Sequence, residues 1–289
     1  MSSHSAAAGD AGWPENRYND GRFRNPAGYF HTMSLAHTLS LIDIQARMSL
    51  KCEASRYFLG YLWWLLEPIL YVMVFYLVFG VLLDSQGMEF IVFLMCGKLP
   101  FVWFSKTVIK ASGSILDHVG LIGLTDLPKA MFPLMVAHEG LYKQVAVFAL
   151  LAVVTLGAGY QPTLAWLWLF PLVAANYLMI VAISLAAAFM VPLFRDLVMM
   201  ITLGMTLLLF VSGVFWDPRA LDPAVMELIF IINPLAFFLD AYRQVMMHGL
   251  APDLPHLLAL TALFGVLFAV MLCLLHRYSR FLALRALTA

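Results

Sequence analysis

Charge is scarce in this 289-residue chain: 12% of its residues are Asp, Glu, Lys or Arg, against 63% hydrophobic. A water-soluble domain carries about a quarter charged residues, so the scarcity excludes that class and reads as a membrane protein. What charge there is cancels, with seventeen basic against seventeen acidic residues, and the missing net field argues against nucleic-acid binding. Cysteine is nearly absent as well. Cys52, Cys96 and Cys273 stand far apart in or beside apolar stretches and form no CxxC pair, which argues against a metal site and against a disulfide framework. The chain also lacks a GxxxxGK[ST] phosphate loop; its only Gly-Lys pair, Gly97-Lys98, lies in an apolar run and is followed by Leu99. No HExxH motif exists, because Tyr142 stands four residues after His138, and Glu139 with Lys143 reads as an i, i+4 ion pair at a helix base. No catalytic constellation, metal or cofactor is therefore expected on this chain. Residues 1–30 carry acids and no apolar core segment, and read as a retained polar tail rather than a cleaved signal.

Long apolar runs are what the chain does have. A spanning helix needs about 20 mainly apolar residues, and six candidates lie at about 58–83, 90–110, 138–160, 164–192, 197–215 and 256–276. The fourth is too long for one upright span and has to tilt or lie partly in the interface. Ahead of them, residues 31–56 are amphipathic: Leu35, Leu39 and Ile42 recur at helical spacing, while Asp43, Arg47 and Lys51 form a polar stripe. Such a helix lies along the membrane surface; a surface helix on a soluble domain is the alternative, but no soluble domain follows. The expected fold is an all-α membrane protein, with a transmembrane body over 57–289. With the N-terminus inside, 14 of the basic residues face the cytoplasm and only Arg219 and Arg243 the outside, with Lys98 left within the membrane. By the positive-inside rule both termini are cytoplasmic, and six spans satisfy that parity.

Two segments between spans are too polar or too short to cross. Residues 111–133 carry Ile115, Leu116, Val119, Leu121, Ile122 and Leu124, an exposed apolar side that marks docking on a partner protein or on lipid; a connecting helix on the membrane is the plainer reading. Residues 217–248 follow a Gly213 and Pro218 break and are broken again at Asn233-Pro234. They fit either a re-entrant helical hairpin, which implies a conduit nearby, or an amphipathic pair resting on the outer surface. Asn233 is placed to cap the second half, with Pro234 at its first position. Aromatic residues crowd both borders, mostly as the usual interfacial belt. A minority are candidates for lining a sugar path: Trp63, Trp64 and Tyr71 with Glu67 in the first helix, Trp103 in the second, and Phe215 and Trp216 at the opposite border.

At this point the residues resemble a family, the type-2 ABC exporter permeases that move bacterial capsule, lipopolysaccharide O-antigen and teichoic acid. The similarity covers about residues 40–280. It rests on the basic interfacial helix running into Phe58-Leu59-Gly60-Tyr61-Leu62-Trp63-Trp64-Leu65-Leu66-Glu67-Pro68, and on Phe93-Leu94-Met95-Cys96-Gly97 with Pro100 and Trp103-Phe104-Ser105. Further matches are Lys129-Ala130-Met131-Phe132-Pro133, Phe194-Arg195-Asp196, and Asn233-Pro234-Leu235 followed by Tyr242-Arg243. The resemblance implies one half of a homodimeric channel in the bacterial inner membrane, paired with two copies of a nucleotide-binding subunit that carries ATP and Mg, and a lipid-linked polysaccharide substrate. It places a coupling helix at 111–133, docking through Leu121, Ile122 and Leu124 with Asp117, Asp126 and Lys129 at the rim. It makes the interfacial helix a gate, and Asn233, Pro234 and Arg243 part of a periplasmic gate.

Lys98 departs from that pattern, which has an apolar residue after the glycine. A lysine near the bilayer centre costs about 2.5–3.5 kcal/mol on insertion scales, so something compensates: an ion pair with Glu67 at matching depth, or a wet channel and an anionic substrate group. Two other function classes compete. A secondary transporter would also show broken helices and intramembrane charge, but no inverted internal repeat is visible. A transferase on lipid-linked substrates needs a clustered acid, base or metal set, and the His and Asp residues are scattered.

Overall fold

The computed structural model describes residues 35–56, 58–78, 87–124 and 127–288. The polar tail, the start of the interfacial segment, residues 79–83 of the first expected span and Asp126 lie outside the described residues. Within them the chain is helical throughout, with no strand, and the expected all-α membrane fold is the observed one.

The first helix, α1, covers Leu35–Arg56, within the segment expected to lie along the membrane surface. A 3-10 turn at Gly60–Leu62 leads into α2, Trp63–Phe75. Helix α3, Met88–Asp117, is the longest, and runs seven residues into the segment expected as a loop. The short α4, Val119–Leu124, and a turn then return the chain to α5, Met131–Gly157, which begins seven residues before the expected span. The long fourth run divides into a 3-10 turn at Leu164–Trp168 and α6, Leu169–Met190. Helix α7, Leu197–Val211, is shorter than expected: at about 1.5 Å per residue its 15 residues cover only ~22 Å. Pro218 and Gly213 explain the early stop. Gly213 has φ +71°, and a Cβ there would come within 2.8 Å of the Pro218 ring, so the chain turns at a position only glycine fills. Helices α8, Pro223–Ile232, and α9, Pro234–Met246, meet at 118°. The last long helix is α10, Leu254–Arg277, and a C-terminal α11, Ser279–Thr288, was not expected from the sequence.

Among the described residues five helical stretches, containing α2, α3, α5, α6 and α10, are long and apolar enough to cross a membrane, or six if α8 and α9 count as one bent span; α7 is too short to be the span expected at 197–215. Helix α3 is the hub, packed by α2, α5, α6, α7 and α9, while α10 packs on α6 and α1 lies across α5. The largest core joins Phe104 and Val108 of α3 to Met179 and Ile180 of α6, Phe238 and Tyr242 of α9, and Phe264 of α10. Apolar surface also points outward: Met199, Leu203 and Leu207 on α7 and Leu258 and Val266 on α10 are exposed. Hydrocarbon on the outside is what a bilayer environment asks of a helix hydrophobic all round.

Candidate functional site

Helix α1 is fastened to α5 by polar side chains. Arg47 Nε donates to Asp43 Oδ1 at 3.1 Å, the Tyr142 hydroxyl donates to the same oxygen, and His138 Nε2 lies 3.6 Å from it. The Tyr142 hydroxyl and the Arg47 guanidinium hold the Asp43 carboxyl below the usual carboxylate range, against an opposing contribution from burial. Half-way along α1, Ser49 Oγ donates to Glu139 Oε2 at 2.7 Å. Glu139 is 3% exposed and is the hub of a network: its Oε1 accepts from Lys110 of α3 at 2.7 Å and from Lys143 at 2.8 Å, and Lys143 also donates to Glu53 of α1 at 2.5 Å. The i, i+4 pair read from the sequence is thus one link in a chain that ties three helices. On the other side, Lys106 of α3 is paired with Glu67 of α2.

Between α1, α2, α3 and α5 these residues enclose an open cavity of about 600 Å³, within the range of small-molecule sites. Trp63, Trp64, Glu67, Tyr71 and Trp103, singled out from the sequence, all line it. Phe215 and Trp216 do not. They sit beyond α7, where Phe215 packs on Phe210 and Trp216 Nε1 donates to the Phe210 carbonyl at 2.8 Å. The walls combine π faces with both hydrogen-bond signs. Lys143 Nζ lies 5.5 Å from the Trp64 ring centre. Trp103 is 4% exposed and stacks on Tyr177, and its indole N–H has no partner among the described residues; the same holds for the Gln144 amide nitrogen. Gly140 belongs here because a Cβ would come within 2.6 Å of Thr107 Oγ1; the close approach of α3 to α5 depends on it. Sequence reasoning missed Ser49, Glu53, Lys110 and Gln144, each on a different turn of its helix.

Lys98 stands apart, and the expected ion pair with Glu67 is corrected: Glu67 pairs with Lys106, two turns along the same face of α3. The Lys98 ammonium lies 5.3 Å from the Tyr71 ring centre and 5.9 Å from that of Phe101.

At the other end of the bundle, Asn233 caps α9, accepting from Ala236 N at 3.4 Å and donating to Ser212 Oγ at 2.9 Å, with Pro234 at the first helical position. All residues from Leu235 to Met246 are buried, whereas α8 buries only Phe230 and exposes Leu228, Ile231 and Ile232. Arg243 donates from Nε to the Phe93 carbonyl at 3.2 Å and from Nη2 to the Val214 carbonyl at 3.1 Å, with its guanidinium carbon 3.6 Å from the Phe93 ring centre. It pins α9 to α3 and to the end of α7. A Cβ on Gly97 would collide with Nη2 of Arg243. Arg219 reaches Asp240 through Nε at 3.0 Å and Nη2 at 2.8 Å.

The expected coupling residues divide. Asp117 and Leu121 are exposed. Ile122 is not an outward docking residue: at 8% exposure it packs in the core that includes Leu282 and Ala286 of α11, because α4 turns its apolar side onto the C-terminal helix. Lys129, expected at the rim, is 3% exposed and donates to the Leu127 carbonyl at 3.0 Å. Helix α4 includes Leu124.

The apolar helices and the polar, aromatic-walled cavity beside α1 agree with a membrane transport protein, and the family match makes that class explicit. The chain belongs to the ABC-2 type transporter family, whose model matches residues 49–247, a family of membrane channel subunits. It is similar to an O-antigen export system permease protein RfbA of Klebsiella pneumoniae, 27% identical over 218 residues that make up 75% of this chain and 83% of the relative. A protein of the same description from Myxococcus xanthus is 30% identical over 230 residues, 78% of this chain and 87% of the relative.

Proposed function

We propose that this chain is the channel subunit of an ATP-driven exporter that carries a lipid-linked cell-surface polysaccharide of the O-antigen or capsule kind from cytoplasm to periplasm across the bacterial inner membrane. It works as a homodimer with two copies of a separate subunit that binds ATP and Mg, and both termini face the cytoplasm. The observation that carries the reading is the similarity over three quarters of the chain to O-antigen export permeases. The cavity agrees with it. Trp63, Trp64 and Tyr71 offer flat apolar faces to sugar rings, and Glu67, Gln144 and the lysines offer acceptors and donors to hydroxyls. In this reading α1 gates the cytoplasmic mouth, Leu121 and Asp117 meet the ATPase, and α8 and α9 close the periplasmic end. Deleting the gene in its own host tests it: surface polysaccharide disappears while the lipid-linked polymer accumulates inside, and plasmid-borne wild type restores display. Unchanged surface polymer would refute the reading, and loss of polymer on both sides would point to synthesis instead.

A further inference from the structure

We propose that Lys98, which lies beside the α1–α2–α3–α5 cavity behind the Tyr71 ring, is an anion-binding residue that takes a phosphoryl or carboxylate group of the passing substrate. The inference starts from how the charges are used. Three lysines line the cavity, and each is paired: Lys106 with Glu67, Lys110 with Glu139, and Lys143 with Glu139 and Glu53. Arg56 sits on the exposed rim. Lys98 has no carboxylate and no hydrogen-bond acceptor among the described residues, only the π faces of Tyr71 and Phe101.

Its position is equally particular. Ten residues from the start of α3 at Met88 place its Cα about 15 Å along the helix, near the middle of a hydrocarbon layer about 30 Å thick, where unpaired charge marks a functional site. Lys98, Val102, Lys106 and Lys110 follow one another at four-residue intervals and form a slowly winding stripe on α3. The last three of these line the cavity. Lys98 lies one helical turn before Val102, outside the cavity, in a separate pocket of about 10 Å³ that shares Tyr71 and Leu99 with it, so an anion reaches the ammonium only when the Tyr71 ring gives way. One aromatic ring therefore separates the cavity from a cation with spare valence, and the aromatic contacts keep that cation oriented while leaving its three N–H donors for a ligand.

The inference rests on the exporter reading only for the source of the anion, and its test needs no export, so the two fail separately. The intact complex with its ATPase partner is placed in nanodiscs of zwitterionic lipid and titrated by tryptophan fluorescence with two pairs of probes: farnesyl diphosphate against farnesol, and trigalacturonate against maltotriose. The wild type is expected to bind at least one charged probe about tenfold more tightly than its neutral counterpart, Lys98→Arg to keep that preference, and Lys98→Met to reduce it to threefold or less. Preference for the diphosphate alone assigns a lipid phosphoryl group, and preference for the galacturonate alone an acidic sugar. Should Lys98→Met fail to assemble, Lys98→Gln carries the same comparison. A wild type without preference, or an assembled Lys98 variant lacking the charge that keeps it, would overturn the proposal.

Discussion

Single atoms decide several contacts here. Gly97 and Arg243 are the clearest case: a methyl group on Gly97 meets the guanidinium that holds α9 to the Phe93 and Val214 carbonyls. Overpacking of this kind costs about 1–3 kcal/mol. Gly97→Ala is accordingly expected to lower the melting temperature of the purified protein by several degrees, and Arg243→Met, by removing the colliding atom, is expected to cancel most of the added cost of the alanine. A double-mutant cycle measures that coupling; strict additivity would show that the two residues do not meet. Glu139 is the second case. It is nearly fully buried and shared by Lys110, Lys143 and Ser49, so Glu139→Gln leaves Lys110 without its carboxylate and Lys143 with Glu53 alone, a loss of about 1–2 kcal/mol because Lys110 stays in reach of water. Limited proteolysis of α1 reads the outcome: faster cleavage between Asp43 and Arg56 in Glu139→Gln, and near-normal protection in Glu139→Asp.

At the scale of the helix, the short α4 separates docking from packing. Leu121 is exposed and Ile122 buried on adjacent positions, because a helix of six residues has one face on α11 and one facing out. Leu121→Asp is expected to leave the permease folded and to weaken its co-purification with the ATPase subunit, whereas Ile122→Asp is expected to destabilise the permease itself; burying such a side chain contributes about 1.5–3 kcal/mol. Equal effects of both variants on ATPase binding, with both permeases folded, would contradict that division. The sequence showed that this segment was amphipathic and could not show which half of it was covered, since the helix that covers it, α11, lies more than 150 residues further along the chain. The starts of the outer elements were better marked. Asp217-Pro218, Asp222-Pro223 and Asn233-Pro234 each pair a capping side chain with a proline at the first helical position, and all three caps accept from the backbone as that chemistry predicts. From the sequence only Asn233-Pro234 reads in this way; Pro218 reads as part of a helix break, and no cap is assigned there to the first of the two short helices, which Asp222 provides.

For the molecule as a whole, the apolar runs made the all-α class and five of the six expected spans legible, because hydrocarbon thickness fixes their length; the fifth run was not, since Gly213 and Pro218 end α7 after 15 residues. The cavity was half legible: Trp63, Trp64, Glu67, Tyr71 and Trp103 stood out as aromatic or charged residues in apolar helices, while the ion pairs of Glu139 and Glu67 join residues 29 and 39 positions apart that no local spacing reveals. The central claim is that ATP hydrolysed on a partner subunit moves a lipid-linked polysaccharide through this chain. It is tested most directly in inside-out proteoliposomes containing the permease and its ATPase subunit, with labelled lipid-linked polymer in the outer leaflet and a glycosidase added outside. The account predicts that ATP renders the polymer resistant to the enzyme, and that omitting the ATPase subunit abolishes this protection. Protection that develops without ATP, or that follows an imposed proton or sodium gradient instead, would contradict it.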